Sequence, residues 1–218
     1  MINLKGDTWG TFEGTVNTVR GPRLGAVYAR KDSVINLGEV RDICFTDPLS
    51  CDSGFTISLW LKHRTTYIND ATVEQEFLRI GEQDNPEVTF SLFQQEGRTE
   101  EHLAIRVSAS SRNCLYVFSV PRSLWSHFAF VWKTTHLQIF RNGLMLNKFL
   151  NKEGLCAEET QNPVQLPVLT LKGEALYDDL KIWDAMLHPN EIDEMYSCVR
   201  GKTTIHIAST VEIMSNNH

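Results

Sequence analysis

The 218-residue sequence has no run approaching the ~18 apolar residues of a membrane span, so no direct membrane insertion is expected. It has no C-x-x-C and no His/Cys cluster at zinc-ligand spacing, which argues against a structural zinc site. No Ser-His-Asp, Cys-His or phosphate-loop constellation presents itself, and the seven histidines are scattered. His127, in "LWSHF", is expected at a sheet surface or edge. Excess positive charge is missing too: a formal net charge of −6 weighs against a general partner role with nucleic acid or anionic membrane. Met1 runs directly into "INLKGD", without the charged flank and apolar core of a signal peptide. The expectation is therefore a cytosolic protein or a piece of a longer secreted or membrane-tethered chain. An N-x-S/T sequon, common on surface modules, is also absent.

Five cysteines bear on that choice. In "CFTDPLSC" the turn signal Asp47-Pro48 can bring Cys44 and Cys51 together as a disulfide, against the alternative of two unrelated buried thiols. Cys114 and Cys156 are candidates for a second pair, leaving Cys198 free or intermolecular, although spacing alone leaves the pairing of these three open. Oxidised, the chain would be extracellular.

The dominant signal is period-two alternation in short runs between turn residues. "FTISLWL" (55–61), "EVTFSLF" (87–93), "HLAIRVSA" (102–109) and "SHFAFVWK" (126–133) all show it. Asn142-Gly143, between two apolar runs, predicts a type I′ hairpin. "LPVLTLKG" and "ALYDDLKIW" close the series. Eight or more such strands with almost no helix pattern predict one all-β domain, an antiparallel sandwich or barrel. One segment departs from this. From Leu187 the apolar positions become Ile192, Met195, Tyr196 and Val199, a helical stripe with Pro189 at its first position, His188 as N-cap and Gly201 at its end.

That helix carries Glu191, Asp193 and Glu194, which resemble the E-x-D spacing of some glycosidases. On a strand, residues i and i+2 share a face; on a helix they lie roughly 200° apart. No catalytic residue is assigned, and these acids are expected to be solvated. Asp178 differs, because it shares a strand register with Leu176, Leu180 and Ile182 and so is expected to face the core. A buried charge there needs hydrogen bonds, an ion partner or a cation. Calcium, with Asp7 as second carboxylate, is one answer. A backbone amide, an arginine such as Arg20 or Arg30, or a strand starting one residue later are others. Asn69, Asp70, Asp84 and Asn85 read as surface turn chemistry.

Four blocks in order, "VYARKDSVINLGE" (27–39), "GFTISLWLK" (54–62), "SLWSHFAFVWKTTHLQIFRNGLMLNK" (123–148) and "ALYDDLKIWDAMLHPNEIDEMY" (175–196), resemble the signature blocks of the pentraxin/laminin-G-like superfamily. The resemblance is closest to the pentraxin-like domains at the N-termini of adhesion G-protein-coupled receptors, where a short cysteine-bearing loop precedes the first Trp strand as "CFTDPLSC" does here. It implies a concanavalin-like jelly roll, an extracellular or cell-surface location, and recognition rather than catalysis. It also implies the single structural calcium site of laminin-G-like jelly rolls, through Asp178. The acidic and amide cluster that holds two calcium ions in soluble pentraxins has no residue-by-residue match.

The expectation is thus an antiparallel β-sandwich jelly roll over residues 1–200 with one short C-terminal helix, and a strand-like or linker tail over 201–218. Its function would be that of a non-catalytic module binding an extracellular protein or self-associating, with a homodimer as one form. The alternative is a calcium-assisted, carbohydrate-binding, lectin-like domain.

Overall fold

The structure is a computed structural model that describes residues 3–4, 8–9, 11–23, 25–40, 43–63, 75–82, 88–94, 102–109, 112–120, 124–151, 156–158, 164–201 and 210–214. The chain begins with β1 (Asn3–Leu4), β2 (Thr8–Trp9), β3 (Thr11–Glu13), β4 (Val16–Val19), β5 (Ala26–Ala29) and β6 (Val34–Glu39). The helical turn α1 (Ile43–Thr46) follows. Next come β7 (Phe55–His63), β8 (Gln75–Gly81), β9 (Val88–Gln94), β10 (His102–Ala109), β11 (Arg112–Ser119) and β12 (Ser126–Lys133). The series ends with β13 (His136–Arg141), β14 (Leu144–Leu150), β15 (Cys156–Glu158), β16 (Val168–Lys172), β17 (Ala175–Trp183), helix α2 (Pro189–Gly201) and β18 (Thr210–Met214).

These strands form two sheets. In one, β14, β13, β12, β7 and β17 lie in order, and β5 and β18 share the far edge of β17. The other runs β15-β11-β10-β9-β8-β16-β6-β3. Pairing is antiparallel except that β18 lies parallel to β17 and β1. The segment read as a strand-like or linker tail therefore contributes Thr210–Met214 to a sheet.

Alternation dictates what each sheet buries. Phe55, Ile57, Leu59 and Leu61 of β7 face Phe90 and Leu92 of β9 and Leu103, Ile105 and Val107 of β10, all in one core. Aromatic rings knit the layers: Phe55 meets Phe90 edge-on at 6.2 Å, and Phe118 meets Phe128 at 6.1 Å. Cys44 and Cys51 form a disulfide that closes the α1 loop over this core, where the Trp132 indole N–H donates to the Pro48 carbonyl at 2.9 Å. Cys114 and Cys156 form a second, between residues directly opposed in β11 and β15.

Helix α2 covers the outer face of the first sheet. Ile192 is buried there against Ala129, Val131 and Phe140, with Leu187 and Met195 packed beside it. At its start the Asn190 backbone N–H donates to His188 Nδ1 at 3.3 Å, as an N-cap does, and the His188 backbone N–H donates to Glu191 Oε2 at 2.6 Å. The β13–β14 turn has positive φ at both Asn142 (53°) and Gly143 (81°), the geometry of a type I′ turn. A Cβ on Gly143 would stand 2.6 Å from Asp193 Oδ1 and 3.2 Å from the Tyr196 ring, so the turn and the helix fit only through glycine. Gly143→Ala is expected to cost about 1–2 kcal/mol from the left-handed backbone alone, and more from displacing α2. Denaturant unfolding checks this, and parent-like stability would refute it.

Candidate functional site

Glu191, Asp193 and Glu194 are exposed on α2 and converge on nothing. Cys198 is an exposed free thiol on the same helix. Asp7, Asn69, Asp70, Asp84 and Asn85 lie outside the described residues.

Asp178 is buried, with 5% exposure, but it does not face the core as its register suggests. Asp179 has φ 49°, and the pairing with β7 shifts from Asp178↔Trp60 to Lys181↔Ser58. Two residues of β17 thus oppose Leu59 alone, a bulge that reverses side-chain parity. Tyr177 joins Leu180 and Ile182 in the core, and Asp178 falls on the outer face beside Trp60. There the Arg23 backbone N–H donates to Asp178 Oδ2 at 2.8 Å, the amide alternative among those open to the sequence. The turn approaches so closely that a Cβ on Gly21 would lie 2.4 Å from the same oxygen.

Around it, Arg23 Nε lies 3.2 Å and Lys181 Nζ 2.9 Å from the Asp179 carboxylate, and Arg23 Nη2 donates to the Met195 carbonyl of α2 at 2.9 Å. Two cations beside two carboxylates leave little attraction for a dication. No group of three or more His, Cys, Asp or Glu suited to a metal occurs among the described residues. The described surroundings of Asp178 therefore do not fit a calcium ion, and they act as a clamp between β17, the residue 21–23 turn and α2. His127 completes this layer. Its Nε2 is 2.8 Å from Ser58 Oγ, its backbone N–H donates to Asn142 Oδ1 at 2.9 Å, and its ring sits near Trp60 (5.4 Å) and Tyr196 (6.2 Å).

The outer face of the second sheet is different, because no helix covers it among the described residues. Direct cross-strand pairs line up Thr11, Asn36, Thr170, Arg79, Ser91, Arg106 and Leu115 across seven adjacent strands. Directly opposed residues share a face, and their chain neighbours Ile35, Leu171, Leu78, Leu92 and Ile105 are in the core. Six of the seven are polar or charged. At one end of this row lies a cleft of ≈ 310 Å³, lined by Asn36, Thr170, Arg79 and Lys172 among others, with Glu13 and Glu82 at its margins. Glu76 lies 3.3 Å from Lys172 Nζ and 3.8 Å from Arg79 Nη1.

Two hydroxyls in the row lack a hydrogen-bond partner, Thr170 Oγ1 and Ser91 Oγ, at residue exposures of 9% and 0%. A buried hydroxyl without a partner costs ~1–3 kcal/mol, and such groups call for explanation.

Residues 37–193 match the family model described as the concanavalin A-like lectin/glucanases superfamily. The chain belongs to that superfamily. A search of curated protein sequences found no match. Among solved structures, the chain is similar to domain 4 of AbnA, a GH43 extracellular arabinanase from Geobacillus stearothermophilus, solved with arabinotriose. The identity is 16% and the TM-score 0.53, over 86% of this chain and 87% of that one. It is also similar to the botulinum neurotoxin serotype G binding domain (12% identity, TM-score 0.65, 94% of this chain and 50% of that one). A third is the binding domain of botulinum neurotoxin DC, solved with SialylT (12% identity, TM-score 0.62, 88% and 46%). The chain thus spans about half of each toxin domain. At these identities the likeness is one of fold.

In this concanavalin A-like chain, sequence reasoning missed the polar row, although five of its members carry a signal. Asn36, Arg79, Ser91, Arg106 and Thr170 each stand as a lone polar residue between apolar neighbours in "VINLG", "FLRIG", "FSLF", "AIRVS" and "VLTLK". What pattern alone does not show is that the register places all five side by side.

The two buried ionisable groups of the helix-covered face titrate in opposite senses. Burial raises the Asp178 carboxyl from 3.8 to about 6, only partly offset by the Arg23 amide hydrogen bond. Burial lowers His127 from 6.5 to about 4, with Asp179 pulling the other way. Between pH 6 and 4 the folded state takes up Asp178's proton before the unfolded chain does, so acidification stabilises through that group. Over the same window the unfolded chain protonates His127 first, so acidification destabilises through it. Relative to the parent, Asp178→Asn is expected to lose stability as pH falls from 6 to 4, and His127→Gln to gain it. Urea midpoints at pH 7, 5 and 4 read this out, and profiles parallel to the parent's would show that neither group titrates in that window.

Proposed function

We propose that the chain is a non-catalytic recognition module of an extracellular or cell-surface protein and that it binds saccharide at the cleft on the outer face of its second sheet. The observation that carries this reading is the cleft at the end of the polar row, lined by Asn36, Arg79, Lys172 and Thr170, whose buried hydroxyl has no partner. A hydroxyl-rich ligand supplies both donors and acceptors, and Asn36, Thr170, Arg79 and the cleft acids match both. The relatives solved with arabinotriose and SialylT support the same ligand class. Two disulfides support an oxidising compartment. The ordered blocks resembling adhesion-receptor pentraxin-like domains support a receptor ectodomain as the parent. A protein ligand or a second copy would use a different surface, the edge strand β14, where Leu144, Met145, Leu146 and Leu150 are exposed. The cleft favours the saccharide.

Catalysis finds no support in the cleft's carboxylates. Glu13 and Glu82 are separated by three strand spacings, ~14 Å, and about five residues along the strands, ~17 Å. Glycosidase pairs stand ~5–9.5 Å apart. Glu82 Oε1 also accepts the Gln165 backbone N–H at 2.9 Å.

Asn36→Ala and Thr170→Val are each expected to weaken oligosaccharide binding about tenfold, the effect of one lost hydrogen bond. Thr170→Val should leave the melting temperature unchanged or higher, because it deletes an unpartnered buried hydroxyl of the free protein. Glycan-array binding and thermal melting test the pair. A Thr170→Val protein that binds like its parent but melts lower would assign the hydroxyl to structure and remove the main support for the site.

A further inference from the structure

We propose, resting on the saccharide reading above, that the ligand carries an acetamido group, as an N-acetylated amino sugar does, and that this group is seated over Val34 between Glu13 and Lys172. Val34 pairs directly with Glu13 of β3 on one side and with Lys172 of β16 on the other. Its chain neighbour Ile35 is in the core, so Val34 points outward, and it is half-buried in the cleft floor. A carboxylate, an isopropyl group and an ammonium thus stand side by side on three adjacent strands. Asn36, two residues along β6 and on the same face, adds an amide that both donates and accepts.

An acetamido group asks for these three functions in this order. Its amide is planar and trans, so the N–H and C=O point in opposite directions, and its methyl needs apolar contact. Glu13, exposed at the cleft margin, accepts from the N–H. Lys172 Nζ lies 3.3 Å from Glu76 Oε2, and an ammonium with three hydrogens keeps others to donate to the C=O. Val34 lies under the methyl.

Two observations favour this ligand over other saccharides. The described lining carries no aromatic ring, so apolar contact comes from Val34 and Val168 and suits methyl groups rather than a ring face. Glu13 and Glu82 are matched in number by Arg79 and Lys172, so the lining has no formal net charge and favours neither an acidic sugar nor a free amine. N-acetylation is what makes an amino sugar neutral.

Titration calorimetry of the intact, disulfide-bonded chain would compare tetra-N-acetylchitotetraose with cellotetraose and with fully de-acetylated chitotetraose. These probes share one backbone and linkage and differ only in the substituent beside the anomeric carbon: acetamide, hydroxyl or amine. The acetylated tetramer is expected to bind about tenfold tighter than either of the others. That preference should shrink about threefold or more in Val34→Thr, which exchanges a methyl for a hydroxyl at equal size. Glu13→Ala should shrink it too, and because Glu13 is exposed this variant decides if Val34→Thr fails to melt cooperatively. Cellotetraose or the amine binding as tightly as the acetylated tetramer, or a preference that the folded variants leave intact, overturns the acetamide assignment. Loss of that binding in Asn36→Ala would still uphold the saccharide site. No binding by any probe, or binding that Asn36→Ala leaves unchanged, overturns both.

Discussion

A strand that buries one face must put its alternate residues on the other, and every part of this molecule follows from that division. Phe55, Phe90, Phe118 and Phe130 hold the two sheets together, so each sheet is left with an outer face to dispose of. The first sheet closes its outer face with α2, seated on Ala129, Val131 and Phe140. The second leaves its row of Asn36, Thr170, Arg79, Ser91 and Arg106 uncovered by any helix among the described residues. A single architecture thus yields one face covered by α2 and one that no described helix covers.

The two faces treat buried polarity differently. Under α2 the charges are answered locally: Asp178 by the Arg23 amide, Asp179 by Arg23 and Lys181, and His127 by Ser58. Two polar atoms of that layer, Trp60 Nε1 and His127 Nδ1, have no hydrogen-bond partner, and we have no physical account of them. On the outer face of the second sheet, the Ser91 and Thr170 hydroxyls are buried without a partner beside Arg79 and Arg106, an arrangement unfavourable in the free protein.

Legibility in the sequence followed the range of the interactions. Elements written in local patterns were readable: the alternating strands, the Asn142-Gly143 turn, and the Pro189 helix with its His188 N-cap. Asp178 was readable as an anomaly but not in its orientation. Its strand carries a bulge at Asp179, and nothing in "LYDDLKIW" announces that an aspartate will take a positive φ there. The polar row was least readable. It depends on the registers of several strand pairs, including shifts at Leu169/Thr170 and Glu76/Leu78, and register is a property of two segments at once.

The Cys114–Cys156 disulfide bears on the open face from its edge. It fastens β15, a strand of three residues, to β11, where the row ends at Leu115. In a reducing compartment β15 would be held by a few hydrogen bonds, and its loss would bare β11 as an unpaired edge beside a half-exposed leucine. Such an edge invites pairing with other copies of the chain. The disulfide therefore guards that edge only where thiols stay oxidised.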